Sequence, residues 1–195
     1  MEVRPARGEE VPQLAAMLAR AFHDDPVTEW FIRGERTRPK YAERFFAWQL
    51  HRLLVQDHVF TTDDGSGAAL WALPGQWRES NMQALRLFVT LAPTLASHLP
   101  SAMRGVDRVE RRHPDEPHLY LAVLGTDPPA QGRGIGTALM RPGIELCDRE
   151  GWPAYLESSK ESNVAFYGRF GFRVTDEVRM PGGGPPVWMM WRDPS

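Results

Sequence analysis

Six residues, Gln131-Gly132-Arg133-Gly134-Ile135-Gly136, restrict what this chain of 195 residues can fold into more than any other segment. They follow an apolar run, His118 to Thr126, whose Leu119, Leu121, Val123 and Leu124 suit a buried central strand. They precede an amphipathic run that reads as a helix to about Arg149. At such a strand–turn–helix junction, main-chain N–H groups point outward and the helix start adds roughly half a positive charge. Glycine tolerates positive φ and lets a phosphate reach the main chain with no Cβ in the way. Arg133 adds a guanidinium for a charge-assisted bond to phosphate. The segment suits a diphosphate, and this physics is indifferent to which cofactor carries it.

Several readings of the turn remain open on residues alone. A P-loop places a lysine and then a serine or threonine after its last glycine, whereas Thr137 follows Gly136 directly. The dinucleotide pattern Gly-x-Gly-x-x-Gly fails in both registers: Gly132 and Gly134 lead to Thr137, and Gly134 and Gly136 lead to Leu139. Glu157, at the end of the next strand, does stand where a ribose-binding acid belongs, but no second set of alternating strands and helices follows. A tight turn without a ligand is a further reading.

The rest of the chain reads as mixed α/β in one domain, residues 1–195, with no repeat and no low-complexity linker. Val3 to Ala6 is a short strand, and Leu14, Met17, Leu18 and Phe22 mark an amphipathic helix from Val11. A second helix runs from Tyr41 to Leu53, and His58 to Thr62 and Ala68 to Ala72 form a hairpin. Asn81 to Arg112 is expected to be two or three short helices, broken at Pro93 and Pro100. Trp152 to Leu156 reads as a strand, Asn163 to Phe170 as a helix, and two last strands flank Pro181 to Pro186. Pro142 inside the central helix predicts a kink or a break there.

A formal charge of -2 and a pI near 6.3 supply no electrostatic reason for nucleic-acid binding, and the mixed signs from Arg108 to Arg112 read as a solvated face. Cys147, the only cysteine, rules out an internal disulfide and reads as a buried, inert thiol. No stretch reaches the ~18 apolar residues of a membrane span. Met1 to Pro5 lacks the basic and apolar regions of a signal peptide, so a cytoplasmic protein with no membrane partner is expected. His113 and His118 have no metal-like spacing to other ligands, and no metal is expected.

Gln131, Gly134 and Gly136 spell Gln-x-x-Gly-x-Gly, and Leu124-x-Thr126-x-Pro128 precedes them. Asn163 and Tyr167-x-x-x-Gly171-Phe172 follow. In this order the three pieces resemble the pyrophosphate loop, the bulged fourth strand and the thiol-end motif of the GNAT superfamily of N-acetyltransferases. The segments Ala21 to Pro26, Leu70 to Pro74 and Pro142 to Phe172 further resemble the puromycin N-acetyltransferase branch and its actinobacterial relatives. That similarity is weak from Gln76 to Pro117, where an acceptor-specific wall is expected. Pro129 and the run Gly182 to Gly184 also depart from it.

The resemblance implies a mixed, mostly antiparallel sheet, splayed between its fourth and fifth strands and flanked by helices. It implies acetyl-CoA as cosubstrate and direct transfer of acetyl to an amine of a small molecule, antibiotics and aminonucleosides included, by a monomer or homodimer. Acetylation of a protein or peptide amine, or a non-catalytic acyl-CoA-binding regulator, are the other functions to weigh. Leu124, Gly125 and Thr126 correspond to the strand that pairs with pantetheine. Gln131, Gly132, Arg133, Gly134, Ile135, Gly136 and Thr137 correspond to the diphosphate loop, with Asn163 and Tyr167 as further cofactor contacts. Tyr167 is expected to protonate the departing thiolate, or else to be a packed aromatic. Glu157 is expected to take the proton of the amine, or else to cap the Asn163 helix or hold a loop. Asn163 itself has helix capping as its other explanation. Asp25, Glu29 and Trp30 correspond to the acceptor wall, where acids beside an aromatic suit a cationic amine. Helix capping and solvation also explain those acids.

Overall fold

The computed structural model describes residues 2–78, 81–95 and 98–195. In chain order the elements are β1 (Val3–Pro5), α1 (Val11–Ala21), α2 (Pro26–Phe31), α3 (Arg38–Leu54), β2 (Val59–Thr62) and β3 (Gly67–Ala72). Then come α4 (Asn81–Leu95), α5 (Leu99–Glu110), β4 (Leu119–Thr126), α6 (Ile135–Glu150), β5 (Ala154–Ser158), α7 (Glu161–Gly168), β6 (Arg173–Arg179) and β7 (Pro186–Arg192).

The seven strands form one sheet in the order β1-β2-β3-β4-β5-β7-β6. Only β4 and β5 run parallel, and every other pair is antiparallel. That pair is also the shortest in the middle of the sheet: Leu119–Leu121 face Ala154–Leu156, and pairing then stops. On its other side β4 stays paired with β3 as far as Thr126. Beyond Leu121 the two central strands part, which is the expected splay.

The register of β4 against β3 shifts between Leu70 and Trp71, which pair with Val123 and Leu121. Ala122 is the extra residue of a bulge, and a bulge changes which face the later side chains occupy. Leu119, Leu121 and Leu124 accordingly pack in the cluster with Ile135, Leu139 and Met140 of α6. Tyr120, Ala122 and Val123 pack on the opposite face, with Leu14, Leu18 and Phe46 of α1 and α3. Burial on both faces explains why this strand reads as a nearly continuous apolar run.

Prolines mark the departures from expectation. α4 continues through Pro93, two residues from its end, while Pro100 lies in the first turn of α5, where its missing N–H is an orphan anyway. The stretch is therefore two helices, with Pro100 starting one of them. Pro26 likewise opens α2, a short helix. α6 runs unbroken from Ile135 to Glu150 across Pro142. The fifth strand begins at Ala154 and extends to Ser158, two residues beyond the Trp152 to Leu156 reading. Cys147 is fully buried and desolvation raises its thiol to about 12, an inert thiol as expected. Among the described residues no helix is long and apolar enough to cross a membrane.

Candidate active site

The parting of β4 and β5 opens a cleft of about 680 Å³. Its floor is the main chain from Leu121 to Thr126, which beyond Leu121 has no strand partner on this side among the described residues. The glycine turn and the start of α6 form one wall; Asn163, Phe166 and Tyr167 of α7 form the other. Phe22 and Asp25 close one end.

Local chemistry explains the shape of the turn. Gly132 has φ +75° and Gly134, at the N-cap of α6, has φ +80°, conformations that side chains rarely adopt. Gly134 supplies no side-chain cap. Among the described residues nothing accepts from the N–H groups of residues 132–137, and the first turn of a helix has no internal acceptors to offer them. The Gln131 amide donates to Thr126 O at 3.2 Å and ties the turn to the end of β4. An ion pair of 2.6 Å between Arg20 and Asp127 ties it to α1. Gly125 lets α1 lie against β4: a Cβ there would stand 2.6 Å from Leu18 Cδ2. A row of unclaimed amides beside an unpaired strand fits a diphosphate followed by an amide-bearing arm, the two ends of coenzyme A.

Leu124, Gly125, Thr126, Gln131, Gly132, Gly134, Ile135, Gly136, Thr137, Asn163 and Tyr167 all line this cleft. Arg133 is exposed and does not line it. Asn163 lies inside α7, whose N-cap is Lys160, so capping does not account for it. Tyr167 is buried against Phe166 and Phe172, and among the described residues its hydroxyl has no hydrogen-bond partner. Burial first, and the charge of Asp25 second, raise its ionisation above the usual phenol range, so it stays an O–H donor.

The three acceptor-wall residues are not brought together. Asp25 lines the cleft, caps α2 by accepting from Thr28 N at 2.8 Å, and accepts from the Ser159 hydroxyl. With the Lys160–Asp24 ion pair of 3.0 Å it links the start of α2 to the end of β5. Glu29 is exposed and pairs with Arg38 at 3.0 Å. Trp30 is wedged between α5 and the β6–β7 turn, where a Cβ on Gly105 or Gly184 would come within 2.8 Å of its ring. Neither Glu29 nor Trp30 lines the cleft.

Glu157 belongs to two clefts. The second, about 550 Å³, is lined by Gln49 and Arg52 of α3, by Trp77 and Arg78, by Asp107, Val109 and Glu110 of α5 with Arg111 after it, and by His113 and Tyr120. Trp77, Arg78, Asp107, Val109, Glu110, Arg111 and His113 of this lining come from the stretch between Gln76 and Pro117. Glu157 Oε2 accepts from the Tyr120 hydroxyl at 2.7 Å, and Oε1 faces His113 Nδ1 at 3.4 Å. It does not cap α7, whose N-cap is Lys160 without a side-chain bond, so the capping explanation falls away. His113, His118 and Tyr120 escaped sequence reasoning as a group. Their one signal was two histidines and a tyrosine within eight residues, and no spacing rule joins them to Glu157. Among the described residues no group of three or more potential ligands could hold a metal.

Residues 100–172, which contain the bulged strand, the glycine turn and Tyr167, match the acetyltransferase (GNAT) family model. An uncharacterized N-acetyltransferase of Schizosaccharomyces pombe is 26% identical, over the whole of this chain and 84% of its own length. The structure titled histone acetyltransferase HPA2 and related acetyltransferase, from Corynebacterium glutamicum, is 25% identical with a TM-score of 0.72, covering 99% of this chain and 96% of that one. The PaiA N-acetyltransferase of Thermoplasma acidophilum, solved with coenzyme A, has a TM-score of 0.59 at 14% identity, covering 98% of both chains. The splayed sheet and the matched segment make this chain similar to acyltransferases of the GNAT type, over residues 100–172 in sequence and along nearly its whole length in fold.

Proposed function

We propose that the protein moves the acetyl group of acetyl-CoA to an amine of a small molecule, by direct transfer with both substrates bound. The observation that carries this reading is the position of Glu157, at the joint between a cleft suited to coenzyme A and a second, walled cleft. The cosubstrate supplies a thioester carbonyl. Glu157 removes the proton that the amine must lose, since an alkyl ammonium with pKa near ~10 is mostly the wrong species at neutral pH. Tyr167 donates its proton to the departing sulfur. Gly132 to Thr137 bind the diphosphate, and Leu124 to Thr126 align the arm.

A recessed cleft of about 550 Å³ is the size of a small-molecule site and lies within the range for drug-sized ligands. Trp77 and Tyr120 give its wall an aromatic edge, which suits an amine carrying a planar group, an aminonucleoside such as puromycin included. A second reading, acetylation of a protein amine, draws support from the likeness to the Corynebacterium structure, described as histone acetyltransferase HPA2 and related acetyltransferase.

The deciding experiment is thiol release from acetyl-CoA against a panel of amine drugs, puromycin and other aminonucleosides, with lysine peptides in parallel. Turnover on the small amines is expected. Turnover on peptides alone would transfer the case to the second reading, and binding of acetyl-CoA without thiol release from any acceptor would overturn both.

A further inference from the structure

Beside Glu157 lies a buried pair of histidines whose hydrogen bonds leave room for only one arrangement of protons. His118 is 1% exposed and its Nδ1 meets Glu116 O at 2.6 Å. A carbonyl only accepts, so His118 Nδ1 carries the proton, and in the neutral ring Nε2 is then a bare acceptor. Burial favours that neutral ring by lowering the His118 pKa. His113 Nε2 meets His118 Nε2 at 3.0 Å and must be the donor. A neutral His113 then turns its bare Nδ1 toward Glu157 Oε1, 3.4 Å away. Tyr120 already donates to the other oxygen of Glu157, and its phenol is held protonated by burial. Two lone pairs face each other across one gap, and the gap accepts one proton.

We propose that His113, its tautomer set by His118, is a positioning residue that takes over the proton Glu157 removes from the acceptor amine, so that the two act as one base. This rests on the acetyl-transfer reading above. As the new C–N bond forms, the thioester C–S bond breaks and the amine N–H bond is lost. The proton passes to Glu157 Oε1 and on to His113 Nδ1, while the sulfur receives a different proton from Tyr167, whose hydroxyl regains one from solvent through the first cleft as the products leave. The relay ends at the Glu116 carbonyl, which cannot pass a proton onward. The stored proton leaves through the second cleft, which His113 itself lines.

The other charged and titratable groups around the pair come from every neighbouring element. Arg52 of α3, Asp107 and Glu110 of α5, Arg111 just after it, and Arg78 border the same cleft. Tyr155 of β5 lies with its ring 4.6 Å from His113 and 5.4 Å from His118, and Asp176 of β6 acts on Tyr155. Trp77 stacks on His113 with ring centroids 3.5 Å apart, and Trp191 meets His118 edge-on.

Two measurements on the full chain test the pairing. In protein labelled with 15N-histidine, long-range 1H–15N spectra should show His118 protonated at Nδ1 and His113 at Nε2. Glu157→Gln should change the His113 Nδ1 chemical shift while His113 Nε2 stays the protonated nitrogen facing His118. His118 in the Nε2–H form, or an unchanged His113 response in E157Q, would overturn the proposal. In turnover assays with acetyl-CoA and puromycin or the best amine of the panel, His118→Phe should lower kcat about tenfold, shift the pH–rate profile and leave the KM for acetyl-CoA within twofold. Phe keeps the ring packing against Tyr155 and Trp191, whereas His118→Gln restores an acceptor for His113 and should recover most of kcat. A loss of kcat with an unmoved pH profile, or no recovery in H118Q, would mark His118 as packing only and sink the relay. Absence of turnover with every amine would overturn the acetylation reading alone, and the spectra would still decide the pairing.

Discussion

Trp71 of β3 lies flat across Gly143 of α6: a Cβ at position 143 would sit 2.6 Å from the indole Nε1 and closer still to the ring carbons. Trp71 is fully buried and has no space to retreat. The contact sets how near α6 comes to the sheet, and α6 begins at the glycine turn. Gly143→Ala gains about 1 kcal/mol of helix propensity but forces an overpacked core costing typically about 1–3 kcal/mol. The clash is with a rigid ring, so the cost should prevail. A lower urea midpoint with an unchanged slope is expected, and a stabilised variant would show that the helix can shift without loss.

Gly134 has φ +80° and open space around the position of a Cβ. Replacement therefore acts through the main chain, not through a clash within the protein. A left-handed conformation costs a side chain roughly 1–2 kcal/mol, more with a β-branch, and relief of that strain would turn the amides of residues 132–137 away from the cleft. Gly134→Val should weaken acetyl-CoA binding at least tenfold by calorimetry. Unchanged affinity would defeat the assignment of the turn to the diphosphate.

Tyr167 keeps its proton because burial and Asp25 both oppose the phenolate. Tyr167→Phe preserves the packing against Phe166 and Phe172 and removes only the donor. Loss of one positioned acid typically costs about 10²-fold or more, so kcat should fall by about that factor while acetyl-CoA affinity stays within about threefold. Turnover at the parent rate would remove the acid role.

Local patterns carried the strand–turn–helix unit, because a buried strand, glycines at positive φ and an amphipathic helix each leave a periodic or compositional mark within a few residues. The cap of α2 was legible in the same way, since Asp25 followed by Pro26 is a helix-start signal. The splay between the fourth and fifth strands came from the family resemblance, and the strand order came from neither source, since nothing in the periodicity of β5 says that it pairs with β7 as well as β4. The second cleft was illegible for a different reason. It joins Gln49, Trp77, Asp107, His113 and Glu157, residues set side by side only once α3, α5 and the sheet have packed. Trp30 was misleading because an aromatic among acids looks like a binding wall, whereas Gly105 and Gly184 make it a packing wedge.

Acid should expose two anchors of the sheet's β1–β3 side. Arg4 holds the Glu10 carboxyl down to about 2 through hydrogen bonds of 2.6 and 3.0 Å, tying β1 to the turn before α1. Thr62 and Ser66 hold Asp64 to about 2 inside the β2–β3 hairpin. Both groups are depressed below their ordinary values of 4.5 and 3.8, so the stability they contribute is fully present above those values and is lost as pH falls toward 2. Melting temperature should therefore be flat from pH 7 to 5 on account of these groups and drop below pH 4. Glu10→Gln and Asp64→Asn should each lower it by a few degrees at neutral pH, where a loss of about 1 kcal/mol shifts a chain of this size by about 2–4 °C. The same variants should converge on the parent near pH 2, because there the parent has protonated the groups that they neutralise. Variants that stayed below the parent at pH 2 by the same margin as at pH 7 would show that packing, not charge, holds these turns.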